Sequence, residues 1–174
     1  ETWVIGFDQR VKPFQNQNLR AYFSRTLKSE DFVKNIFPKQ QSAIGLIPWG
    51  VPGFIDPLGE PSPVSGKSID FSTVPKGQFD LLIPEEVEAA GKIANWITNS
   101  FAGKKTSLNP ILTPFRKMMN EWAGGKMGAY LVSINTESPD MTFLLKTLHS
   151  RAAGNFLGVS NPDVDRWVTE AEHA

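Results

Sequence analysis

The stretch that decides the fold is Gly125–Leu144, GKMGAYLVSINTESPDMTFL, in which an apolar strand runs into a short acidic loop and then into a helix predicted over Asp140–Ser150. In open α/β sheets, ligands gather just beyond the carboxyl ends of such strands. We therefore expect the functional site where this strand ends. The polar residues at this position are Ser133, Asn135, Thr136 and Glu137.

The residues before this stretch alternate between strand and helix patterns. Strands are predicted at Phe79–Ile83, Ser107–Leu112 and Met127–Ile134. Proline is favoured at the first position of a helix, so one helix is predicted to begin at Pro84 and the next at Pro114. Strand, helix, strand, helix, strand is the alternation that produces parallel βαβ units with helices packed on a sheet.

The two ends of the chain carry further elements. Thr2–Phe7 is predicted to be a strand, and Gln17–Lys28 a helix because its apolar residues recur at helical spacing. A second short helix is predicted from Ser29 to the residue before Pro38. Near the other end, Asn161 is a favoured capping residue for a last helix whose first residue is proline. The helical spacing turns Phe115 and Trp167 inward on their helices.

Residues 38–77 differ from the rest of the chain because they are rich in proline, glycine and serine. This composition predicts a long, irregular segment, and such segments inside a compact domain are usually functional. Apolar residues such as Trp49 and Phe54 argue against a flexible linker here. We therefore expect one domain over residues 1–174, with this segment inside it.

Composition excludes several classes of protein. The 18 basic and 18 acidic residues balance, without blocks of like charge, so a nucleic-acid partner is not expected. The absence of cysteine excludes disulfides, thiolate catalysis and cysteine-based metal sites. Neither a signal peptide nor a membrane-spanning apolar run is visible, which fits either a cytosolic protein or a piece of a longer exported one.

Motifs for catalysis or cofactor binding are missing as well. Gly66-Lys67-Ser68 has the ending of a phosphate-binding loop, but Pro61 stands where its first glycine belongs. The two histidines, His149 and His173, have no serine or acid at a known catalytic spacing. We therefore predict no catalytic residues, no metal site and no cofactor.

Four stretches of the chain resemble segments of one protein family. They are Trp3–Val33, WVIGFDQRVKPFQNQNLRAYFSRTLKSEDFV; Ile47–Phe54, IPWGVPGF; Gly125–Leu144; and Ser160–Asp165, SNPDVD. In order and spacing they are similar to the second lobe of the extracytoplasmic solute-binding proteins that serve oligopeptide and dipeptide ABC transporters. The chain would be about a third of such a protein.

The resemblance implies a fold, a function and partners. The fold would be α/β, a three-layer lobe of the periplasmic-binding-protein type with a mixed sheet, βαβ units and flanking helices. Such a lobe binds peptides or similar small solutes together with a missing second lobe, and an ABC-transporter permease receives the ligand. The implied location is periplasmic or extracytoplasmic, with a lipid anchor as an option in the full-length protein. No enzymatic activity is implied.

The resemblance also implies roles for single residues. Glu137 stands where the family commonly has an aspartate that faces the ligand's amino group, and Ile134 where it often has tryptophan. Ser133, Asn135 and Thr136 would offer hydrogen bonds to a peptide backbone, although these residue types are also favoured in ordinary turns. Trp49 would stack on a ligand or on the other lobe, with burial in the domain's own core as the equal alternative.

Two other functions stay open at this point. One is a small stand-alone α/β hydrolase in which Glu137 and Asp140 act as paired acids. The other is a protein-interaction domain that uses the irregular segment. A hydrolase requires a closed cleft with converging carboxylates, whereas a lobe requires an exposed, partly apolar face.

Overall fold

The computed structural model describes residues 2–42, 70–134 and 145–173. Within them, a four-stranded sheet consists of β1 (Thr2–Phe7), β2 (Gly77–Pro84), β3 (Thr106–Thr113) and β4 (Ala129–Ile134), in the order β1-β4-β2-β3. β1 runs antiparallel to β4, while β2 is parallel to both β3 and β4. The sheet is therefore mixed, as predicted.

Helices flank this sheet. They are α1 (Gln17–Thr26), α2 (Ser29–Ile36), α3 (Ala90–Ser100), α4 (Phe115–Ala123) and α5 (Pro162–Glu172), and a single 3₁₀ turn covers Phe71–Thr73. The units β2-α3-β3 and β3-α4-β4 join parallel strands, which confirms the predicted βαβ alternation. In the part of the chain that is described, no helix is both long and apolar enough to cross a membrane.

Side chains that alternate along the strands form two separate apolar clusters. The larger lies on the face covered by α1 to α3, where Leu81 and Leu131 of the sheet meet Phe23 and Ile93 of the helices, all fully buried or nearly so. On the opposite face, Tyr130 packs with Met118 of α4. Helices thus cover both faces, and the predicted three-layer α/β architecture is confirmed.

The start of α5 is set by its own sequence. Asn161 accepts a hydrogen bond from the backbone N–H of Asp163 at 2.9 Å, and Pro162 is the first residue of the helix, as predicted. An acceptor at this position satisfies one of the N–H groups that have no partner within the helix.

The predicted start of α3 is wrong. Pro84 is the last residue of β2, and the helix begins only at Ala90. The ladder between β2 and β3 continues past Pro84, because Glu85 N–H donates to the carbonyl of Thr113 at 3.1 Å. A turn closed by the bond from Val87 N–H to the carbonyl of Pro84 then separates strand and helix.

Two further predictions differ from the structure. Phe115 and Trp167 were expected to point inward, but 47% and 57% of their surfaces are exposed.

Most of the predicted irregular segment 38–77 and the first part of the predicted helix Asp140–Ser150 lie outside the described residues. From residue 147 the described chain turns instead of continuing as a helix.

Candidate functional site

The carboxyl edge of the sheet is the candidate functional site. β2, β3 and β4 are parallel and end at this edge with Pro84, Thr113 and Ile134. β1 is antiparallel and begins there, with Thr2 paired to Ile134. This is the edge at which ligands gather in open α/β sheets.

Of the predicted site residues, Ser133 belongs to the described part of the chain. It is paired with Trp3 across the β1–β4 ladder and is partly buried. Alternation along β4 places it on the same face as Leu131, which is the face covered by α1 to α3. Its contact with a ligand stays a prediction. Trp49, Asn135, Thr136 and Glu137 lie outside the described residues.

Glu86 joins the loop after β2 to the start of α4. Its carboxylate accepts the backbone N–H of Phe115 with both oxygens, at 2.9 and 3.1 Å. The N-cap of α4 is Pro114, which makes no capping bond of its own. Glu86 therefore supplies the missing acceptor, and its negative charge suits the positive end of the helix. The contact joins residues 29 positions apart, so no local pattern indicates it.

Two apolar side chains are exposed at the same edge. Leu112 near the end of β3 is 46% exposed, and Phe115 at the start of α4 is 47% exposed. The hydrogen bond to Glu86 fixes the backbone of Phe115, and the exposed aromatic ring is therefore attached to a fixed main chain. Exposed apolar side chains at this edge are suited to contact an apolar group of a ligand or partner. No sequence pattern indicated that Leu112 and Phe115 are exposed.

A cavity of about 470 Å³ lies elsewhere, between β1 and the helices α1 and α2. Trp3, Phe7, Phe32 and Trp96 contribute to its mainly apolar lining. Arg20 is the charged residue among the described ones that line it, and burial lowers the pKa of its guanidinium. Its Nη1 already donates to the carbonyls of Phe14 and Gln15, at 2.6 and 3.1 Å. Arg20 therefore holds the turn before α1.

The opposite, amino edge of the sheet holds an ion pair between the buried carboxylate of Asp8 and the half-exposed guanidinium of Arg10. The fully buried carboxylate of Asp8 accepts Nε and Nη2 of Arg10 at 2.9 and 2.6 Å, together with the N–H of Arg10 at 2.9 Å. The hydrogen bond to Asp8 raises the pKa of Arg10. Gly158 packs so closely here that a Cβ would lie 2.5 Å from Asp8 Oδ1.

Tyr130 lies beside this ion pair. Burial raises the pKa of its phenol well above the usual range, and the negative charge of Asp8 adds to that effect while Arg10 opposes it. Among the described residues, its hydroxyl has no hydrogen-bond partner. The ring also fills the space next to Gly6, where a Cβ would lie 2.6 Å from ring carbons. This edge is closed by packing.

One cluster has the residue types of a catalytic triad but not its geometry. Asp165 accepts the hydroxyl of Ser150 at 2.6 Å, so the serine donates to the acid and not to a histidine. His149 Nδ1 is 3.9 Å from Asp165 Oδ1 and accepts the N–H of Arg151 at 3.2 Å. No nucleophile and base are paired in this cluster. A search of residues 2–42, 70–134 and 145–173 finds no group of three His, Cys, Asp or Glu that could hold a metal.

Known structures share this fold. The murein tripeptide-binding protein MppA of Escherichia coli matches 99% of this chain and 36% of its own length, with a TM-score of 0.81 and 19% identity. OppA of Burkholderia pseudomallei matches 99% of this chain and 37% of its own length, with a TM-score of 0.79 and 17% identity. A peptide-binding protein of a peptide ABC transporter matches 99% of this chain and 85% of its own length, with a TM-score of 0.77 and 19% identity.

These matches define the class of fold. The chain has the α/β fold of part of the peptide-binding proteins, and it spans about a third of the length of MppA and OppA. No protein-family model matches the sequence, and no curated protein does.

Proposed function

We propose that this chain is the ligand-binding lobe of an extracytoplasmic solute-binding protein that delivers peptides or similar small solutes to an ABC transporter. The observation that carries the proposal is the match with MppA over 99% of the chain at a TM-score of 0.81, because the name of that protein states that it binds a tripeptide. The four sequence stretches that resemble the family support the same proposal independently.

In this proposal the carboxyl edge of the sheet is one wall of the ligand site. Leu112 and Phe115 take an apolar side chain of the peptide, because both are exposed at that edge and Glu86 holds the backbone N–H of Phe115. Glu137 binds the ligand's ammonium group by a charge-assisted hydrogen bond. Ser133, Asn135 and Thr136 bond the peptide backbone, and Trp49 stacks on the ligand or on the second lobe.

The second wall belongs to the missing lobe of the same protein. The two lobes close around the ligand by a hinge movement, and the permease recognises the closed state. Enclosure between two walls supplies most of the binding energy of such a site. The isolated chain therefore binds peptide weakly, with a dissociation constant in the millimolar range. The full-length protein is periplasmic or otherwise extracytoplasmic, with a lipid anchor as an option.

The protein acts without catalysis. Peptide-binding proteins, not enzymes, are named in the structural matches, and the cluster of Ser150, His149 and Asp165 lacks a nucleophile–base pair. The acid pair of the hydrolase alternative, Glu137 and Asp140, lies outside the described residues. The fold match therefore favours the binding lobe over both the hydrolase and the interaction domain.

One titration tests this function against its alternatives. Tri-alanine is added to the ¹⁵N-labelled chain up to about 20 mM, amide shifts are followed by NMR, and the peptide is then recovered and analysed. We expect saturable shifts with a millimolar dissociation constant and intact peptide. Absence of saturation would contradict the binding lobe, as would micromolar affinity for the isolated chain. Hydrolysed peptide would favour the enzyme.

A further inference from the structure

The cavity between β1 and the helices α1 and α2 has an elongated, apolar body. Its volume of about 470 Å³ is in the range of small-molecule binding sites. Trp3, Ile5 and Phe7 line it from β1, where alternate residues face the same side of the sheet, over a length of about 13 Å. Phe32 and Trp96 line it from the helices, and their rings pack edge to face with centroids 5.1 Å apart. The cavity is therefore suited to a long apolar group.

Polar side chains are grouped at one end of this cavity. Gln9 follows the end of β1, and Gln17 and Arg20 belong to the first four residues of α1. These three side chains come from the place where β1 ends and α1 begins, whereas Trp3 is near the other end of β1. A ligand that matches this lining has a polar head and an apolar chain.

Arg20 has donor groups available for that head. Its Nη1 holds the carbonyls of Phe14 and Gln15, but within residues 2–42, 70–134 and 145–173 its Nε and Nη2 form no hydrogen bond or ion pair. Burial lowers the pKa of the guanidinium, and none of the described charged groups contributes to this shift. Arginine nevertheless stays protonated in proteins. A partly buried cation without a counterion attracts an anion, and Nε with Nη2 matches the two oxygens of a carboxylate.

We propose that this cavity is a second binding site, which takes an apolar monocarboxylate such as a straight-chain fatty acid. The carboxylate pairs with Nε and Nη2 of Arg20, and the chain lies along β1 under the helices. A peptide does not suit the apolar body, because its backbone N–H and C=O groups would be buried there without hydrogen bonds. The inference does not rest on the proposed function, since the described residues of the peptide wall, Ser133, Leu112 and Phe115, do not line the cavity.

Octanoate and octan-1-ol test the site, because they share one chain length and differ in the charge of the head group. Each is titrated into the ¹⁵N-labelled chain while the indole N–H signals are followed by NMR. Trp3 and Trp96 report the cavity, and Trp167 on α5, which is 57% exposed, reports binding to the surface. We expect shifts of Trp3 and Trp96 that saturate at one octanoate per chain, with a dissociation constant of about 0.1 mM, and about tenfold weaker binding of octan-1-ol.

Arg20→Gln tests the charge, with Arg25→Gln as its control. The glutamine amide still donates to the carbonyls of the turn, while Arg25 is an exposed residue of the same helix that does not line the cavity. Arg20→Gln should reduce the ratio of octanoate affinity to octan-1-ol affinity to about one, whereas Arg25→Gln should leave it unchanged. A general loss of stability lowers both affinities alike and does not change this ratio.

Ser24→Phe tests the site if Arg20→Gln does not fold. Ser24 lines the cavity from α1 and is exposed, so a larger side chain occupies part of the cavity without entering the core. The substitution should weaken both ligands by about tenfold, and Ser24→Ala should weaken neither.

Shifts of Trp167 alone, or shifts that do not saturate, would overturn the site. Equal affinities of the two ligands for the unmodified chain, an unchanged ratio in folded Arg20→Gln, or unchanged binding in folded Ser24→Phe would overturn it as well. Displacement of octanoate by tri-alanine would overturn it too, because the two ligands are assigned to different places. Failure of tri-alanine to bind contradicts the proposed function alone.

Discussion

The two edges of the sheet differ in the burial of their charged and apolar side chains. At the amino edge, Asp8 is fully buried and bonded to Arg10, and Tyr130 fills the space beside Gly6. At the carboxyl edge, Leu112 and Phe115 are nearly half exposed and Glu86 holds a helix end. The amino edge is closed by interactions that stabilise the fold, whereas the described residues of the carboxyl edge leave apolar surface exposed, which suits the ligand wall proposed there.

The largest effect is expected from Arg10→Met. This substitution keeps an apolar stem and the backbone N–H that Asp8 accepts, but it removes the guanidinium from the buried carboxylate, which should lower the free energy of unfolding by about 3 kcal/mol. The matched control is Arg166→Met, because Arg166 is exposed and pairs only loosely with Asp163 and Glu170. Its cost should stay below about 0.5 kcal/mol. Equal losses of unfolding free energy for the two variants in urea denaturation would show that the bond between Arg10 and Asp8 does not stabilise the amino edge.

Two glycine substitutions should change stability in opposite directions. Gly6→Ala places a Cβ 2.6 Å from the ring of Tyr130 and should cost about 2 kcal/mol, because a packed site has to shift. Gly91→Ala in α3 meets nothing within 4 Å and should stabilise by about 0.5 to 1 kcal/mol. Thermal unfolding of both variants gives the comparison. A stable Gly6→Ala variant would mean that Tyr130 is loosely held.

Tyr130→Phe tests the pH dependence of the closed edge. The phenol is neutral when folded and its pKa is raised by burial, so its contribution to stability is complete below about pH 10 and is lost as the pH rises above that value. The variant should lose this alkaline decline in urea denaturation between pH 8 and 11. At pH 7 it should be neutral or more stable by up to about 1 kcal/mol, because a hydroxyl without a described partner is removed. If the stability of Tyr130→Phe still falls at alkaline pH as in the unmodified chain, groups other than Tyr130 cause that fall.

Glu86→Gln should have a smaller effect at the open edge. The amide oxygen still accepts the N–H of Phe115, but the charge that suits the helix end is gone. We expect a loss of about 0.5 kcal/mol in urea denaturation. Glu85→Gln is the control, since Glu85 is the exposed neighbour in the same loop and contributes its backbone N–H to the ladder with Thr113. A loss above about 2 kcal/mol would make Glu86 a core structural residue.

A small change in stability together with a loss of binding is expected from Phe115→Ser combined with Leu112→Ser. Both side chains are nearly half exposed, so the free energy of unfolding should fall by less than about 1 kcal/mol. Tri-alanine contains an apolar methyl group at each residue, and its affinity should fall at least threefold by NMR titration. Unchanged affinity in the folded double variant would remove this pair from the ligand wall.

Local sequence patterns predicted the elements well where the deciding interactions are local. Asn161 and Pro162 mark the start of α5, because capping and proline geometry depend on neighbours in the chain. The mixed α/β fold followed from alternating strand and helix patterns and from the family resemblance. The predicted start of α3 was wrong for two reasons. The actual N-cap residue is Ala89, which has no side chain that could cap the helix, and Pro84 is the last residue of β2 instead of the first residue of a helix.

The sequence was enough to choose the carboxyl edge as the candidate site, but not to predict which of its residues are exposed or bonded. The carboxyl end of β4 followed from the strand and loop of Gly125–Leu144 alone. The exposure of Phe115 did not, because helical spacing shows which face of the helix a residue lies on but not whether that face is covered at the start of α4. The contacts Glu86–Phe115 and Asp165–Ser150 join residues 29 and 15 positions apart, and only the folded chain brings them together.

The most direct test of the central claim maps the ligand onto the two edges. Backbone amides of the ¹⁵N-labelled chain are followed while tri-alanine is added. The account predicts that the largest shifts fall at the carboxyl edge, at Glu86, Phe115 and Ile134, and that Asp8, Arg10 and Gly158 stay unchanged. Largest shifts at the amino edge, or around Arg20 and Trp96 in the cavity, would contradict it.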